Sequence, residues 1–322
     1  MKLLTGIIAT LGLAALPLIT MAQGAATYPN RTIRVLCPFP PGAITDALAR
    51  MYASHLERKY KQPTIVENRT GAGQNIAGDA TAKAAPDGYT LLAASNQLAW
   101  ESLLNKDTPF NSQRDILPFG IFAASGLFLA THIDLPAKTL AEFVAYVKAN
   151  PGKLNVGLAG APTLGFEEFR DRLGLSWTNV PYRGGAPAFQ ALLANDVQMF
   201  TTDVMQGLPA MQTGKIRMLA YSGSQRHPGA PSIPTFSESG VGVQGFDYKV
   251  WLGTFAPAGV PADILQKLNA EVLEMQKTPD AMQRFTAMGW QAIPSGVEEI
   301  RLDSAAAVQK VVALVAQGVK LR

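Results

Sequence analysis

Short β-rich runs alternate with amphipathic helical patterns through almost the whole 322-residue chain. Alternation of that kind leaves few folds open: it predicts an α/β chain whose sheets are mixed and mostly parallel. Thr32 to Cys37 reads as a strand, closed by Pro38-Phe39-Pro40-Pro41-Gly42. From Thr45 to Tyr60, apolar residues at 47, 48, 51, 52 and 56 then trace one face of a helix. Thr45 or its neighbour is expected to cap that helix, with Asp46 against its positive end. Further strands are predicted at 64–67, 89–94, 154–159, 178–182, 197–203, 216–222 and 250–256, and helices near 186–194, 261–277 and 279–288. Thr139-Leu140-Ala141-Glu142 is a capping box for a helix with the stripe Leu140, Phe143, Val144 and Val147, and Ser295-Gly296-Val297-Glu298 repeats the device.

The length suggests two lobes. No flexible linker separates them, so crossing strands are expected to join them. Charged residues are 16% of the chain against 48% apolar ones, which excludes a disordered protein. A net charge of +4 without any run of Lys and Arg is no nucleic-acid footprint. A single cysteine, Cys37, excludes an internal disulfide and a cysteine-based zinc site.

Residues 1–22 carry Lys2, an apolar stretch from Leu3 to Ile19, and Thr20-Met21-Ala22 as small residues at a cleavage position. This reads as a secretory signal peptide cut after Ala22, so the mature protein is expected in the periplasm. Gly6, Gly12 and Pro17 interrupt the stretch, and no basic flank follows it, which argues against a membrane anchor.

The chemical motifs are mostly negative. Gly71-Ala72-Gly73-Gln74-Asn75-Ile76-Ala77-Gly78 follows a strand and opens a helix, but Ile76 stands where a dinucleotide loop needs its third glycine, and no acidic residue closes the next strand. It is read as a flexible turn, and no cofactor is expected. No Gly-x-Ser-x-Gly elbow or Ser-x-x-Lys pair is present. His55, His132 and His227 have no carboxylate or nucleophile at a diagnostic spacing, so no catalytic residue and no metal site is expected. What stands out is a set of strand-to-helix turns built from Gly, Ala, Pro and small hydroxyl residues: 38–46, 159–163 and 182–187. Such turns offer free backbone N–H groups to an anion, and in an open α/β sheet they lie where ligands bind.

Several ordered motifs then point one way. They are Val35-Leu36-Cys37-Pro38-Phe39-Pro40-Pro41-Gly42 with Thr45-Asp46, Glu67-Asn68-Arg69 with Gly71-Ala72-Gly73, and Ala84-Ala85-Pro86-Asp87-Gly88-Tyr89-Thr90. Pro181-Tyr182-Arg183-Gly184-Gly185-Ala186-Pro187 and Phe255-Ala256-Pro257-Ala258-Gly259-Val260-Pro261 continue the series. Over essentially the whole mature chain the sequence resembles the Bug family, the periplasmic solute receptors of tripartite tricarboxylate transporters. The resemblance implies a two-lobed periplasmic-binding-protein (Venus flytrap) fold with a hinge of crossing strands. Lobe 1 would comprise 23–125 plus 249–322, and lobe 2 residues 126–248. It implies a monomer that holds a small organic anion and delivers it to the membrane subunits of such a transporter.

In that family the loop after the first strand grips a carboxylate through backbone amides and bridging waters. Carried over, this gives Gly42, Ala43, Ile44, Thr45 and Asp46 as the first half-site and Gly160, Ala161 and Thr163 as the second. Ser95, Asn96, Thr202 and Asp203 end strands facing the cleft. The chain departs from the family pattern at Gly42-Ala43-Ile44 and at Ala161-Pro162-Thr163-Leu164-Gly165-Phe166, which is less polar and lacks a histidine. With Phe39 and Phe166 nearby, the departures suggest a ligand with an apolar body, such as an aromatic carboxylate. A ligand-sensing module for a signalling partner and an exported hydrolase are the alternatives.

Overall fold

The computed structural model describes residues 28–159, 162–182 and 185–316. The expected signal peptide, Gly160, Ala161, Arg183, Gly184 and the side chain of Thr163 lie outside the described residues. No helix among the described residues is long and apolar enough to cross a membrane.

The first lobe begins with β1 (Ile33–Cys37), α1 (Ile44–Tyr60), β2 (Thr64–Asn68), α2 (Asn75–Ala82), β3 (Thr90–Ser95), α3 (Glu101–Leu104) and β4 (Ile116–Ser125). The second contains β5 (Phe128–His132), α4 (Leu140–Ala149), β6 (Asn155–Leu158), α5 (Pro162–Arg172), β7 (Thr178–Pro181), α6 (Gly185–Leu193), β8 (Met199–Thr202), α7 (Val204–Gln212) and β9 (Ile216–Tyr221). The chain then returns through β10 (Val250–Pro257), α8 (Ala262–Gln276), α9 (Pro279–Met288) and α10 (Val297–Ala316) to the first lobe.

Each lobe is built on one five-stranded sheet, ordered β2-β1-β3-β10-β4 and β7-β6-β8-β5-β9. β1 pairs in parallel with β2 and β3, and β6 with β7 and β8. β10 runs antiparallel to β3 and β4, and β5 antiparallel to β8 and β9. The four antiparallel pairs come from the strands next to the lobe crossings and equal the four parallel ones, so the sheets are evenly mixed rather than mostly parallel as expected. The sequence reading had no strand at β4 or β5, because Ile116 to Leu129 is a nearly continuous apolar run without the period-2 alternation of a half-buried strand.

α1 forms where its stripe requires. Leu48, Tyr52 and Leu56 are at most 1% exposed, spaced at one turn, and they pack with Ile33, Val35 and Leu91 of the sheet and with Leu268 and Val272 of α8. Each such side chain contributes about 1.5–3 kcal/mol on burial. In the second lobe Phe143 and Val147 of α4 cover Leu129, Val156 and Met199, together with a cluster formed by Phe166, Phe169, Phe236 and Phe246.

The α4 capping box forms: the Thr139 hydroxyl accepts from the Glu142 N–H at 3.1 Å, and the Glu142 carboxylate accepts from the Lys138 N–H at 2.6 Å. The α10 device is shifted by one residue, since the helix starts at Val297 and it is Glu299 that accepts from the Gly296 N–H, at 3.4 Å.

The crossings are tightly tied. The Gly126 N–H donates to the Tyr221 hydroxyl at 2.8 Å and the Leu127 N–H to Ser222 Oγ at 2.8 Å, while that hydroxyl donates to the Tyr248 carbonyl at 2.7 Å. A Cβ at Gly126 would lie 2.7 Å from the Gly223 nitrogen and from the Tyr221 ring, so only glycine fits there.

Candidate functional site

Strand order locates the site. From β1 the chain first adds β2 on one side and then β3 on the other, and from β6 it adds β7 and then β8. Reversals of this kind leave a crevice outside the carboxyl ends of β1 and β3, and of β6 and β8. Register shows that the two crevices adjoin. Val250 pairs with Ser125, and Leu252 with Ser95, so the chain crosses between lobes at the carboxyl edge of the first sheet. Phe128 pairs with Thr202 and Tyr221, so the crossing is also at the carboxyl edge of the second. The 38–46 turn, Ser95-Asn96, the segment after Leu158 and Thr202-Asp203 are thus brought to one interlobe region.

The 38–46 turn is held open from below. Gly42 has φ +87°, and the residue before the helix is Ala43, which offers no side-chain cap to α1. Thr45, expected as the cap, lies inside the first turn instead; it is 4% exposed, and its hydroxyl has no partner among the described residues. Asp46 is 3% exposed and fully engaged: it accepts from the Gly42 N–H at 2.9 Å, from Asn68 Nδ2 at 2.8 Å and from Arg50 at 3.0 Å. Asn68 also donates to the Phe39 carbonyl at 2.9 Å. Burial alone would raise the Asp46 pKa, but the hydrogen bonds from Arg50, Asn68 and Gly42 outweigh it and hold the carboxyl below the usual range. The Gly42 N–H is thus taken by Asp46 and the Ala43 N–H by the Pro40 carbonyl at 3.2 Å, which leaves the first-turn N–H groups of Ile44, Thr45 and Asp46 without a partner among the described residues.

At the end of β3, Ser95 and Asn96 are both buried, and Asn96 Nδ2 reaches the Lys249 carbonyl in the returning crossing at 3.3 Å. In the second lobe the Asp203 carboxylate accepts from the Gln206 N–H at 2.9 Å and caps α7, and Thr202 Oγ1 donates to the Asp203 carbonyl at 3.3 Å. Phe166 does not reach the interlobe region: it is 1% exposed and packs edge-on to Phe236 in the second core. Of the two phenylalanines invoked for an apolar ligand, half-buried Phe39 alone stays beside the site.

Residues 48–312 match the family described as the tripartite tricarboxylate transporter family receptor. The chain belongs to this family. BugT of Bordetella pertussis is 33% identical over 321 residues, covering 98% of this chain and 96% of that protein. Among solved structures, R. palustris Rpa4515 with adipate superposes with a TM-score of 0.75 at 27% identity, covering 90% of this chain and 97% of that one. MatC from Rhodopseudomonas palustris with bound malate gives 0.70 at 30% identity, covering 89% and 98%.

The histidines His55 and His227 are each engaged within the fold. His55, without a carboxylate at a diagnostic spacing, gains one through the fold: its Nε2 lies 2.9 Å from Glu271 Oε2. Glu274 completes a trio of metal-ligand type, but the Lys59 ammonium lies against both carboxylates and takes the place a cation would need. His227 is 4% exposed, accepts from the Gly229 N–H at 3.0 Å and meets the Gly289 carbonyl at 2.9 Å, which leaves its ring no free nitrogen. A cavity of about 580 Å³ lies between α10 and the start of β4, with Ala99 and Leu103 from the segment after β3 also lining it.

The fold adds three residues absent from the expected site: Asn68 and Arg50, which bond to Asp46, and Gln74, which bonds to Ser95. Asn68 directly follows the predicted 64–67 strand and Arg50 lies one helical turn after Asp46, whereas Gln74 carries no such signal. The 71–74 segment is also no slack turn, because Gly71, Ala72, Gly73 and Gln74 all have positive φ.

Proposed function

We propose that the protein is an extracytoplasmic solute-binding receptor that captures a small organic carboxylate between its lobes for tripartite tricarboxylate-type uptake. The observation that carries this reading is the meeting of both topological switch points at one interlobe edge, with an α1 start that no side chain caps. Relatives holding adipate and malate support a carboxylate. Residues 23–125 with 249–322 form one lobe and 126–248 the other, and they close around the ligand by bending at the crossings. Backbone donors of Ile44, Thr45 and Asp46 and of 160–163 grip the anion, while the Gly42 and Ala43 N–H groups stay bonded within the loop; Thr45, Ser95, Asn96 and Thr202 add polar contacts, and Asp46 and Asp203 hold the loops in shape. The receptor acts as a monomer, performs no covalent chemistry, and hands its ligand to membrane subunits. Half-buried Phe39 and Ile44 favour a ligand with an apolar body.

Two measurements test this. Native mass spectrometry of the purified protein should find a small acid bound, and thermal shifts with malate, adipate and benzoate should identify a stabilising carboxylate. A protein that carries no acid and is stabilised by none of the three defeats the reading. Thr45→Ala should then weaken binding about tenfold, the scale of one hydrogen bond to a charged group, with the melting temperature nearly unchanged. Unchanged affinity would remove the Thr45 hydroxyl from the site.

A further inference from the structure

The turn after β2 holds four successive residues at positive φ: Gly71 (+122°), Ala72 (+47°), Gly73 (+63°) and Gln74 (+81°). Glycine adopts this region freely, whereas a residue with a side chain is strained there. Gln74 therefore stands at a position whose backbone favours glycine, and its side chain is 94% buried, at 6% exposure. The whole amide is used on one residue across the sheet. Gln74 Oε1 accepts from the Ser95 N–H at 3.1 Å, and Gln74 Nε2 donates to Ser95 Oγ at 2.8 Å.

The first of these bonds decides the second. A backbone N–H can only donate, so the atom facing it must be the amide oxygen, and the atom facing Ser95 Oγ must be the NH2 group. The Ser95 hydroxyl is thereby made an acceptor toward Gln74, and its own proton must point elsewhere. No described residue accepts that proton. Ser95 ends β3, one of the two strands that flank the first switch point.

We infer that Gln74 is a positioning residue for ligand recognition: it locks the Ser95 hydroxyl so that its proton is presented to an anionic oxygen of the bound carboxylate. The inference rests on the receptor reading and deepens it. A serine left to rotate could spend its proton on a neighbouring carbonyl; one clamped on both sides acts as a fixed donor, and its reorientation is not charged to each binding event.

The test uses the full mature chain and whichever of malate, adipate and benzoate the wild type binds, read by calorimetry and thermal melting. Gln74→Gly relieves the positive φ but leaves the buried Ser95 N–H unpaired, so affinity is compared at a temperature where both proteins are fully folded, and it should drop at least about tenfold. Gln74→Asn, which tolerates positive φ but is one methylene too short to span both Ser95 atoms, should lose affinity similarly. Ser95→Ala should show the same loss, and Gln74→Gly in the Ser95→Ala background should cost less than a further twofold, because the two act as one unit. Affinity of Gln74→Gly within twofold of wild type, an unaffected Ser95→Ala, or losses that add in the double variant each overturn the inference and leave the receptor reading standing. A wild type that binds none of the three acids removes both.

Discussion

The two lobes repeat one topology but secure their ligand-edge loops by different physics. In the first lobe the fastenings are polar and cross from strand to strand: Asp46 ties Gly42, Arg50 and Asn68 together, and Gln74 clamps Ser95. In the second lobe they are a local helix cap at Asp203 and an aromatic cluster beneath α5. Polar clamps fix where donors point but depend on ionisation. Aromatic packing fixes a helix as a body and is indifferent to pH. One half of the receptor is thus made to aim hydrogen bonds, and the other to present a rigid wall.

The comparison predicts its largest effect in the second lobe. Phe236 is fully buried and meets Phe166, Phe169 and Phe246 at ring separations of 5.9, 5.0 and 4.8 Å. Phe236→Ala should cost about 3–5 kcal/mol through lost transfer energy and an unfilled cavity. Hydrogen exchange should speed up in α4 and α5 with α1 and α8 little affected. Equal loosening of both lobes would show that they unfold as one unit and erase the contrast.

Acidification should reverse the order. In the first lobe four carboxyls are held below their ordinary range: Asp46 and Glu271 against an opposing effect of burial, Glu67 chiefly by its Arg34 hydrogen bond and surface Asp115 chiefly by its Arg114 hydrogen bond; in the second, exposed Glu238 is lowered chiefly by the Thr235 N–H. A depressed pKa gives stability that is complete above the unfolded value, about 3.9–4.3, and is lost as pH falls through the lower folded value. Buried Glu167 in the second lobe is shifted the other way by burial, so protonating it relieves a cost. Lowering pH from about 5 towards 3 and below should therefore destabilise the first lobe progressively, while the second keeps more of its protection against exchange. Asp46→Asn should flatten part of that slope. A second lobe that opens first in acid would refute the assignment of polar and apolar fastenings.

What could be read from the sequence follows the same division. Features that act within one turn were legible: the α4 capping box, the α1 stripe at 48, 52 and 56, and the Pro-Pro-Gly turn that sets Gly42. The alternation of strands and helices led to the correct fold class. Contacts that join distant residues left no periodic trace. Gln74 reaches Ser95 across 21 positions and His55 meets Glu271 across 216, so neither pairing has a spacing to recognise. Phe166 was assigned to the cleft because it is close in sequence to the second loop. Helical geometry turns it the other way, into the core with Phe169 one turn on.

The smallest effect concerns the two helix starts. α1 begins after Ala43 with no side chain on its first donors, whereas α7 begins after Asp203, whose carboxylate already occupies the Gln206 N–H. An incoming carboxylate finds open donors at the first and a like charge at the second. Asp203→Ala should lower stability by about 1 kcal/mol, as loss of a helix cap does, yet leave carboxylate affinity unchanged or slightly increased, because the negative charge beside the second loop is gone. Thr45→Ala should do the opposite, weakening binding at nearly constant stability. Melting and titration of the two variants side by side separate the cases. If Asp203→Ala loses affinity as Thr45→Ala does, then Asp203 touches the ligand itself, through a hydroxyl or ammonium on it, and the second lobe aims hydrogen bonds as the first one does.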